Sequence, residues 1–323
     1  MKVAVTGGTG VVGTAVVRHL IDAGHEVTAL ARSVEASISL EGGGARVVRG
    51  DVLDRDAVRR LVEGSQWVFQ IAGVNELCPR DPARMWKVNV EAIAGMVEMC
   101  RHAGVQRLIH TSSAATLGEE SGTVGTEISK HRGYFLSEYE RSKTVGERLV
   151  LDTRGDLEVV AVNPSSVQGP GRATGTGALL LSAARGRLPF IIDTPFSLVD
   201  IDDCARGHLL AAEQGRPGER YILSGATLST RQAVRTLNGL LGRHNGPWGL
   251  NPDAVTWAAP LVDRMFRAME KKPPLCAESV RVLRHGHRYD GTRATRDLGL
   301  VYTPLTDTFE RTVGWFREEG LLD

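Results

Sequence analysis

The sequence is poor in cysteine, in long apolar runs and in excess charge of either sign. Its four cysteines, Cys78, Cys100, Cys204 and Cys276, form no Cys-x-x-Cys pair, which argues against a disulfide framework or a cysteine zinc site and fits a reducing compartment. Thirty-nine Lys and Arg residues against 38 Asp and Glu leave a net charge of +1. This balance excludes the basic footprint expected for nucleic acid or for an anionic membrane surface.

The apolar runs also fall short of a membrane span, and glycines at positions 7 and 8 interrupt the only apolar run near the N-terminus. A signal peptide needs a longer apolar core and a cleavage site of small residues. The sequence therefore predicts a cytoplasmic protein without a membrane-spanning segment.

Glycine is abundant, at 37 of the 323 residues, which implies many tight turns or close backbone approaches. From Lys2 to about Val162, short apolar runs alternate with segments of helical periodicity. Predicted strands cover 3–6, 26–31, 45–49, 67–72, 107–112 and 158–163, and predicted helices cover 11–23, 54–63, 85–103 and 137–152. This alternation predicts an α/β fold, a Rossmann doubly wound parallel sheet with helices on both faces.

After Pro164 the rhythm breaks, and glycines and prolines mark a long irregular loop. We expect a dinucleotide-binding domain over 1–163 and a smaller C-terminal α/β substrate lobe over 164–323, with some elements returning to the Rossmann sheet. Helices are predicted over 179–187, 202–213, 230–242 and 306–319, a strand over 220–223, and lid or substrate-lobe material over 245–274.

Between the first strand and the first helix lies a glycine-rich turn with Gly7, Gly10 and Gly13. At this spacing the glycines allow a tight turn, a close approach of the backbone to a pyrophosphate, and close helix–strand packing. The free N–H groups of the helix N-terminus attract phosphate. Thr9, Val11 and Val12 complete the predicted phosphate-binding turn.

The second strand ends in Arg32, where an NAD-selective site usually has an acidic residue. An arginine can pair with a 2′-phosphate or stack on adenine, so the cofactor is predicted to be NADP, with NAD as the alternative. Asp51 and Val52, just after the third strand, are placed to meet the adenine.

Tyr139 and Lys143 lie four residues apart in a predicted helix, on one face. A neighbouring ammonium is expected to lower the pKa of the tyrosine, which could then exchange a proton with a carbonyl oxygen. Ser112 and Ser113 follow the fifth strand, at the edge of the sheet where ligands bind, and either could hold that carbonyl.

These motifs together resemble the extended short-chain dehydrogenase/reductase family, also called the NAD-dependent epimerase/dehydratase family. The matching stretches run over nearly the whole chain: 6–13, 50–52, 69–73, 88–90, 111–114, the Tyr139/Lys143 pair and 163–170. The resemblance implies that Ser113 is the catalytic serine, Tyr139 the acid/base and Lys143 its partner. It also places Ala72, Gly73, Thr111, Pro164 and Val167 against the cofactor.

The dehydratases of that family usually carry an Asp-Glu pair after the hydroxyl residue of the fifth strand. Here Ser112, Ser113 and Ala114 follow, so the acid needed to eliminate water is missing. Segments 163–167, 198–208 and 218–223 are similar to the branch that contains dihydroflavonol reductases and cinnamoyl-CoA reductases. Some bacterial members of this branch are called hopanoid-associated sugar epimerases, so the branch leaves the substrate open. Many relatives also pair the helices that correspond to 85–103 and 137–152, which implies a homodimer.

Several other residues could have either a functional or a purely structural role. His110 is expected to be a packed core histidine, and His285 and His287 to lie in a solvated loop without a metal, since no ligand lies at a suitable spacing. Asn89 either supports the site or has no task. Arg172 is expected at the surface, although it could meet an anionic substrate group. Candidates for an apolar substrate wall, or for core packing, are Tyr134, Phe135, Phe196 and Trp257.

The predicted function is NADP-dependent reduction of an aldehyde or ketone on a small apolar or aromatic molecule. Hydride would reach the carbonyl carbon, and Tyr139 would protonate the oxygen that Ser113 orients. Two alternatives remain: a sugar or nucleotide-sugar epimerase with tightly bound NAD(P), and a dinucleotide-binding regulator without turnover.

Overall fold

The computed structural model describes residues 1–243, 246–250, 255, 264–266, 269 and 276–322. Among them, no helix combines the length and the apolar character that crossing a membrane requires. The strands are β1 Lys2–Thr6, β2 Glu26–Ala31, β3 Arg46–Arg49, β4 Trp67–Gln70, β5 Arg107–Thr111, β6 Glu158–Pro164, β7 Ser166–Gln168, β8 Phe190–Ile192, β9 Pro195–Asp200, β10 Arg220–Leu223, β11 Ala226–Ser229 and β12 Trp248–Leu250.

The helices of the described residues are α1 Val11–Asp22, α2 Val34–Gly42, α3 Arg55–Val62, α4 Ala83–Trp86, α5 Ala92–His102, α6 Glu138–Leu151, α7 Thr176–Ala184, α8 Ile201–Gln214, α9 Thr230–Leu240, α10 Ala277–His285, α11 Thr292–Leu298 and α12 Leu305–Glu318. A π-helical turn, Lys87–Glu91, joins α4 to α5, and a short 3-10 helix covers Ala114–Leu117. The predicted helix over 85–103 is therefore a continuous segment with a π-helical interruption.

Seven parallel strands form the large sheet, in the order β10-β6-β5-β4-β1-β2-β3. Strand β1 shows why the sheet is covered on both sides: Val3, Ala4 and Val5 are all buried, so neither face of the strand meets water. Helices α1 and α8 pack on one face, and α3, α5 and α6 on the other. The predicted Rossmann fold is confirmed.

Local sequence signals mark several helix starts correctly. The side chain of Asp54 caps α3, and that of Ser137 caps α6, each accepting hydrogen bonds from backbone N–H groups of the first turn. Helices α2, α10 and α11 were not predicted. Helix α2 lacks an amphipathic pattern, because its apolar residues are spread around the helix, so periodicity could not reveal it.

The C-terminal part builds two small sheets, β11-β9-β7 and β12-β8, beside the large one. A separate apolar core joins α7, α9 and α12, with Leu180, Leu237, Phe309 and Phe316 fully buried. Strand β10 and helix α8 belong to the large sheet and its covering layer, although they follow residue 164. About two thirds of the predicted lid over 245–274 lies outside the described residues, and the boundary at 163/164 stays a prediction.

The prediction that the cysteines form no disulfide is wrong for one pair. Cys78 and Cys276 are joined in a disulfide, with their Cα atoms 6.4 Å apart. Their 198-residue separation in sequence hid a proximity that only the tertiary fold creates. The reducing compartment inferred from unpaired cysteines therefore loses its support. Cys100 and Cys204 are free and buried.

Candidate active site

A cavity of about 790 Å³ opens at the carboxyl ends of the central strands. Strand β1 lies between β2 and β4, so the chain reverses its winding direction there, and this switch point is where doubly wound folds bind ligands. All the predicted cofactor-binding and catalytic residues line this cavity: Gly7, Thr9, Gly10, Val11, Val12, Gly13, Arg32, Asp51, Val52, Ala72, Gly73, Thr111, Ser113, Tyr139, Lys143, Pro164 and Val167.

The three glycines of the first turn differ in what surrounds them. A Cβ on Gly13 would lie 2.0 Å from the carbonyl oxygen of Gly7, and one on Gly7, whose φ is +72°, would lie 2.6 Å from the amide nitrogen of Ala72. A Cβ on Gly10 would meet only the Gly7 oxygen, at 3.4 Å. The outer glycines therefore close the turn, and the middle one leaves room for a ligand to approach the backbone.

Helix α1 begins directly at this turn, and no side chain caps its first N–H groups. Uncapped N–H groups at a helix N-terminus suit a phosphate. At the far end of the cavity, Arg32 and Asp51 are both well exposed, with 3.9 Å between guanidinium and carboxylate. The cradle of backbone around Gly10 and the open N-terminus fit the diphosphate of a dinucleotide.

The catalytic candidates meet at the other end of the cavity. Ser113, just beyond β5, lies near the phenol of Tyr139 on α6, and both residues line the cavity. Lys143 is one helical turn further along, and its Nζ donates to the backbone oxygen of Thr111 at 2.7 Å. Ser112, by contrast, is buried and its Oγ has no partner among the described residues. The structure thus places Ser113, not Ser112, against the tyrosine.

The predicted lowering of the Tyr139 pKa is wrong in this structure. Burial raises the pKa of Tyr139 above its usual range, and the hydrogen bond from Ser113 and the charge of Arg172 oppose the rise. Lys143 is itself buried, which lowers its pKa to about 8 against the opposing charge of Glu147. The predicted shift assumes that both groups are solvated, whereas Lys143 is buried and Tyr139 is half-buried.

Asn89, in the π-helical turn, supports the site. Its Oδ1 accepts from the backbone N–H of Val74 at 2.8 Å, and its Nδ2 donates to the Val74 oxygen at 2.9 Å and to Ser142 Oγ at 3.0 Å. These bonds fix the loop after β4, including Gly73, against α6. Of the two readings of Asn89, the supporting one is correct.

His110 is a packed core histidine, as predicted. It is fully buried, its Nδ1 lies 2.7 Å from Gln70 Oε1, and burial together with the charge of Lys143 holds its pKa well below the usual range.

The prediction of a solvated loop at His285 and His287 is wrong. Both rings lie beside the buried carboxylate of Glu119, whose Oε1 is 3.5 Å from His285 Nε2 and 2.7 Å from His287 Nδ1. The three ligand atoms lie within 4.8 Å of one another, so the cluster is a potential metal-ligand set. Gly286 has a φ of +65°, which lets both rings face the same carboxylate. Glu119 is far away in sequence, so spacing could not reveal it.

The substrate end of the cavity includes residues that the sequence analysis expected to lie outside the site. His287 and Arg172 both line it, so the expectation of a surface arginine is wrong. Of the aromatic candidates, Phe196 lies in the wall, Tyr134 and Phe135 are not among its lining residues, and Trp257 lies outside the described residues. The apolar part of the wall consists of Val74, Leu77, Leu179, Phe196, Val282 and Leu283.

Comparison with known proteins agrees with this fold and site. The model of the NAD dependent epimerase/dehydratase family matches residues 3–224, and the chain belongs to that family.

Among its relatives, "Sterol demethylase protein B" of Methylococcus capsulatus is 30% identical over all of both chains. A "2-alkyl-3-oxoalkanoate reductase" of Stenotrophomonas maltophilia is 28% identical over 93% of this chain and 94% of that one. The solved structure of gox2253 is similar with a TM-score of 0.87 and 29% identity, covering 100% of this chain and 99% of that one.

The matched relatives also include proteins named as a 3 beta-hydroxysteroid dehydrogenase/isomerase and a UDP-glucose 4-epimerase. Family and relatives together identify an NAD(P)-dependent enzyme of the oxidoreductase type. Membership in a family of enzymes removes the basis for a dinucleotide-binding regulator without turnover.

Proposed function

We propose that the protein is an NADPH-dependent reductase of an aldehyde or ketone on a small apolar or aromatic molecule. The position of Ser113 and Tyr139 in the wall of one cavity carries this proposal, because one carbonyl oxygen could meet both hydroxyl groups there. The apolar side chains from Val74 to Leu283 that form part of the wall suit an apolar substrate body.

In the proposed reaction, the nicotinamide cofactor supplies hydride to the carbonyl carbon. Ser113 donates a hydrogen bond that orients the carbonyl oxygen, and Tyr139 gives its phenolic proton to that oxygen. The raised pKa of Tyr139 keeps the phenol protonated at neutral pH, as a proton donor requires. Lys143, anchored on the Thr111 carbonyl, stands beside Gly73, whose Cβ position is 3.8 Å from Nζ, and would hold the ribose hydroxyls.

The preference for NADPH is supported by Arg32. It lines the adenine end of the cavity and is largely exposed, so its guanidinium is free to turn towards a 2′-phosphate. Comparable affinities for NADH and NADPH would contradict this preference without affecting the proposed reaction.

The test measures NADPH consumption against aromatic, aliphatic and sterol-like carbonyls. Tyr139→Phe should lower kcat by about 10²- to 10⁴-fold, the usual contribution of a general acid, with little change in NADPH affinity. Tyr134→Phe is the matched control, because Tyr134 is exposed and is not among the cavity-lining residues. Full turnover in Tyr139→Phe would refute the assigned acid.

Epimerisation of a sugar or nucleotide sugar is the second candidate, favoured by the relative named UDP-glucose 4-epimerase, which is 29% identical over 84% of this chain. The same three residues would then remove and return a hydride with no net change of cofactor. A dinucleotide that stays bound through purification, with no NADPH consumption on any carbonyl, would favour this reaction.

A further inference from the structure

Arg172 stands in the catalytic end of the cavity without an acidic partner. Among the described residues no carboxylate forms an ion pair with its guanidinium, and its Nε is buried with no hydrogen-bond partner. Arg172 is half-buried, and a guanidinium that has lost part of its hydration gains from pairing with an anion. The missing anion is therefore expected to come from a ligand.

The loop around Arg172 is built tightly against it. A Cβ on Gly177 would lie 2.4 Å from the Arg172 carbonyl oxygen and 2.9 Å from its Cγ, and a Cβ on Gly175, whose φ is +57°, would lie 3.3 Å from Nη2. The arginine's own N–H donates to the Gly169 oxygen at 3.2 Å. Glycine at these positions lets the loop and the start of α7 close on the side chain, so the guanidinium has a defined place in the cavity.

The guanidinium also lies close to the reacting end of the site. Its charge lowers the pKa of Tyr139 against the effect of burial, and the tyrosine in turn raises the pKa of Arg172 against the same effect. Arg172 and Tyr139 also line the same cavity, so an anion on Arg172 and a carbonyl at Tyr139 can belong to one substrate.

We propose that Arg172 binds the carboxylate of the substrate, so that the enzyme reduces oxo acids with an apolar tail. This inference rests on the proposed reductase function and narrows its substrate class. Hydride adds to the oxo carbon, the C=O π electrons move to oxygen, and Tyr139 protonates that oxygen. The products are the hydroxy acid and the oxidised cofactor, and the carboxylate stays intact on Arg172.

The planar fork of an arginine matches a carboxylate through two parallel N–H···O bonds. An ester of the same acid keeps the carbonyl and the tail but removes the negative charge. Acid and ester pairs therefore separate recognition by Arg172 from the chemistry at Tyr139.

The experiment compares kcat/KM for benzoylformate with methyl benzoylformate, and for 3-oxooctanoate with its methyl ester. Wild type, Arg172→Gln, Arg172→Lys and Arg187→Gln are measured with NADPH; Arg187 is exposed and is not among the cavity-lining residues. Binding of NADPH alone, and of mandelate and 3-hydroxyoctanoate to the NADP⁺ complex, is measured by calorimetry.

We expect wild type and Arg187→Gln to prefer the acids. Arg172→Gln should lose at least 100-fold on an acid and less than 3-fold on its ester, with unchanged NADPH affinity and unchanged melting temperature. Arg172→Lys should recover part of the loss, because it restores the charge but not the fork.

Equal losses on acid and ester would overturn the proposal, because Arg172 would then act on Tyr139 or the loop. Weakened NADPH binding would overturn it in favour of a cofactor phosphate. Reduction of neutral carbonyls only would leave the reductase function standing and refute the carboxylate site. Conversely, hydroxy-acid binding that depends on Arg172, with no carbonyl reduced, would support the site and refute the reductase function.

Discussion

The two ends of the cavity are built from different materials. The dinucleotide end consists mainly of backbone: a turn with Gly7, Gly10 and Gly13, and the uncapped first N–H groups of α1. The substrate end consists of side chains, among them Arg172, Phe196, and the His287 ring held by Glu119.

This difference follows from the two ligands. A diphosphate can be bound by main-chain N–H groups and a helix N-terminus. The turn must therefore leave its backbone accessible to the ligand, which requires glycine. A substrate differs from other molecules in shape and charge, and side chains supply the contacts that recognise these differences. The diphosphate-binding turn is therefore contiguous in sequence, whereas the substrate end gathers side chains from residues 74 to 289.

The dependence of the dinucleotide end on backbone space is tested most directly at Gly13. In Gly13→Ala the new methyl group would lie 2.0 Å from the Gly7 carbonyl oxygen and would force the turn open. We expect the Kd for NADPH to rise at least 100-fold, a loss of about 2.7 kcal/mol. Fluorescence titration of NADPH measures this. Gly314→Ala is the control, because a Cβ there meets nothing within 4 Å. An unchanged Kd in folded Gly13→Ala would show that the backbone cradle is not needed.

The same difference explains what the sequence could predict. The order of strands, the glycine turn and the Tyr139/Lys143 pair depend on local spacing, and the structure places all of these residues at one cavity. The starts of the helices predicted over 54–63 and 137–152 likewise follow from their own segments, where Asp54 and Ser137 cap α3 and α6. Their roles in binding and catalysis stay predictions.

The errors have one physical origin, which is contact between segments far apart in the chain. His285 and His287 looked solvated because Glu119 precedes them by more than 160 residues. Arg172 was expected at the surface because only the fold brings its loop to the cavity that Tyr139 also lines. The shift of the Tyr139 pKa has the same origin, since burial is a tertiary property.

The substrate end also has a covalent support that the dinucleotide end lacks among the described residues. The disulfide of Cys78 and Cys276 joins the loop that carries Leu77 to the start of α10, whose Val282 and Leu283 line the cavity. Loss of a disulfide that closes so long a loop typically costs about 2–4 kcal/mol. Cys78→Ser should therefore lower Tm by roughly 3–6 °C without reductant. Differential scanning calorimetry measures the shift.

Reductant serves as the internal control: it should lower Tm in wild type and leave Cys78→Ser unaffected. Four free thiols in the intact mass of the untreated protein would contradict the bond and would make the two ends of the cavity alike in lacking a cross-link.

The smallest expected effect concerns the carboxylate that holds His287 at the substrate end. Burial alone would raise the pKa of Glu119, but the adjacent His285 ring and the hydrogen bond and charge of His287 outweigh burial and lower it to about 2. Unfolded, the group titrates near 4.5. Its stabilising contribution is therefore present above pH 4.5 and is lost as the pH falls towards 2.

Glu119→Gln should lower the free energy of unfolding at pH 7 by roughly 2 kcal/mol and should flatten its fall between pH 4.5 and 2, as measured by urea titration at a series of pH values. Glu120→Gln is the matched control, because the neighbouring carboxylate is exposed. Identical slopes for Glu119→Gln and wild type would show that the histidine cluster does not depend on the charge of Glu119. The wall around His287 would then be held by packing alone, and the substrate end would resemble the dinucleotide end in needing shape more than charge.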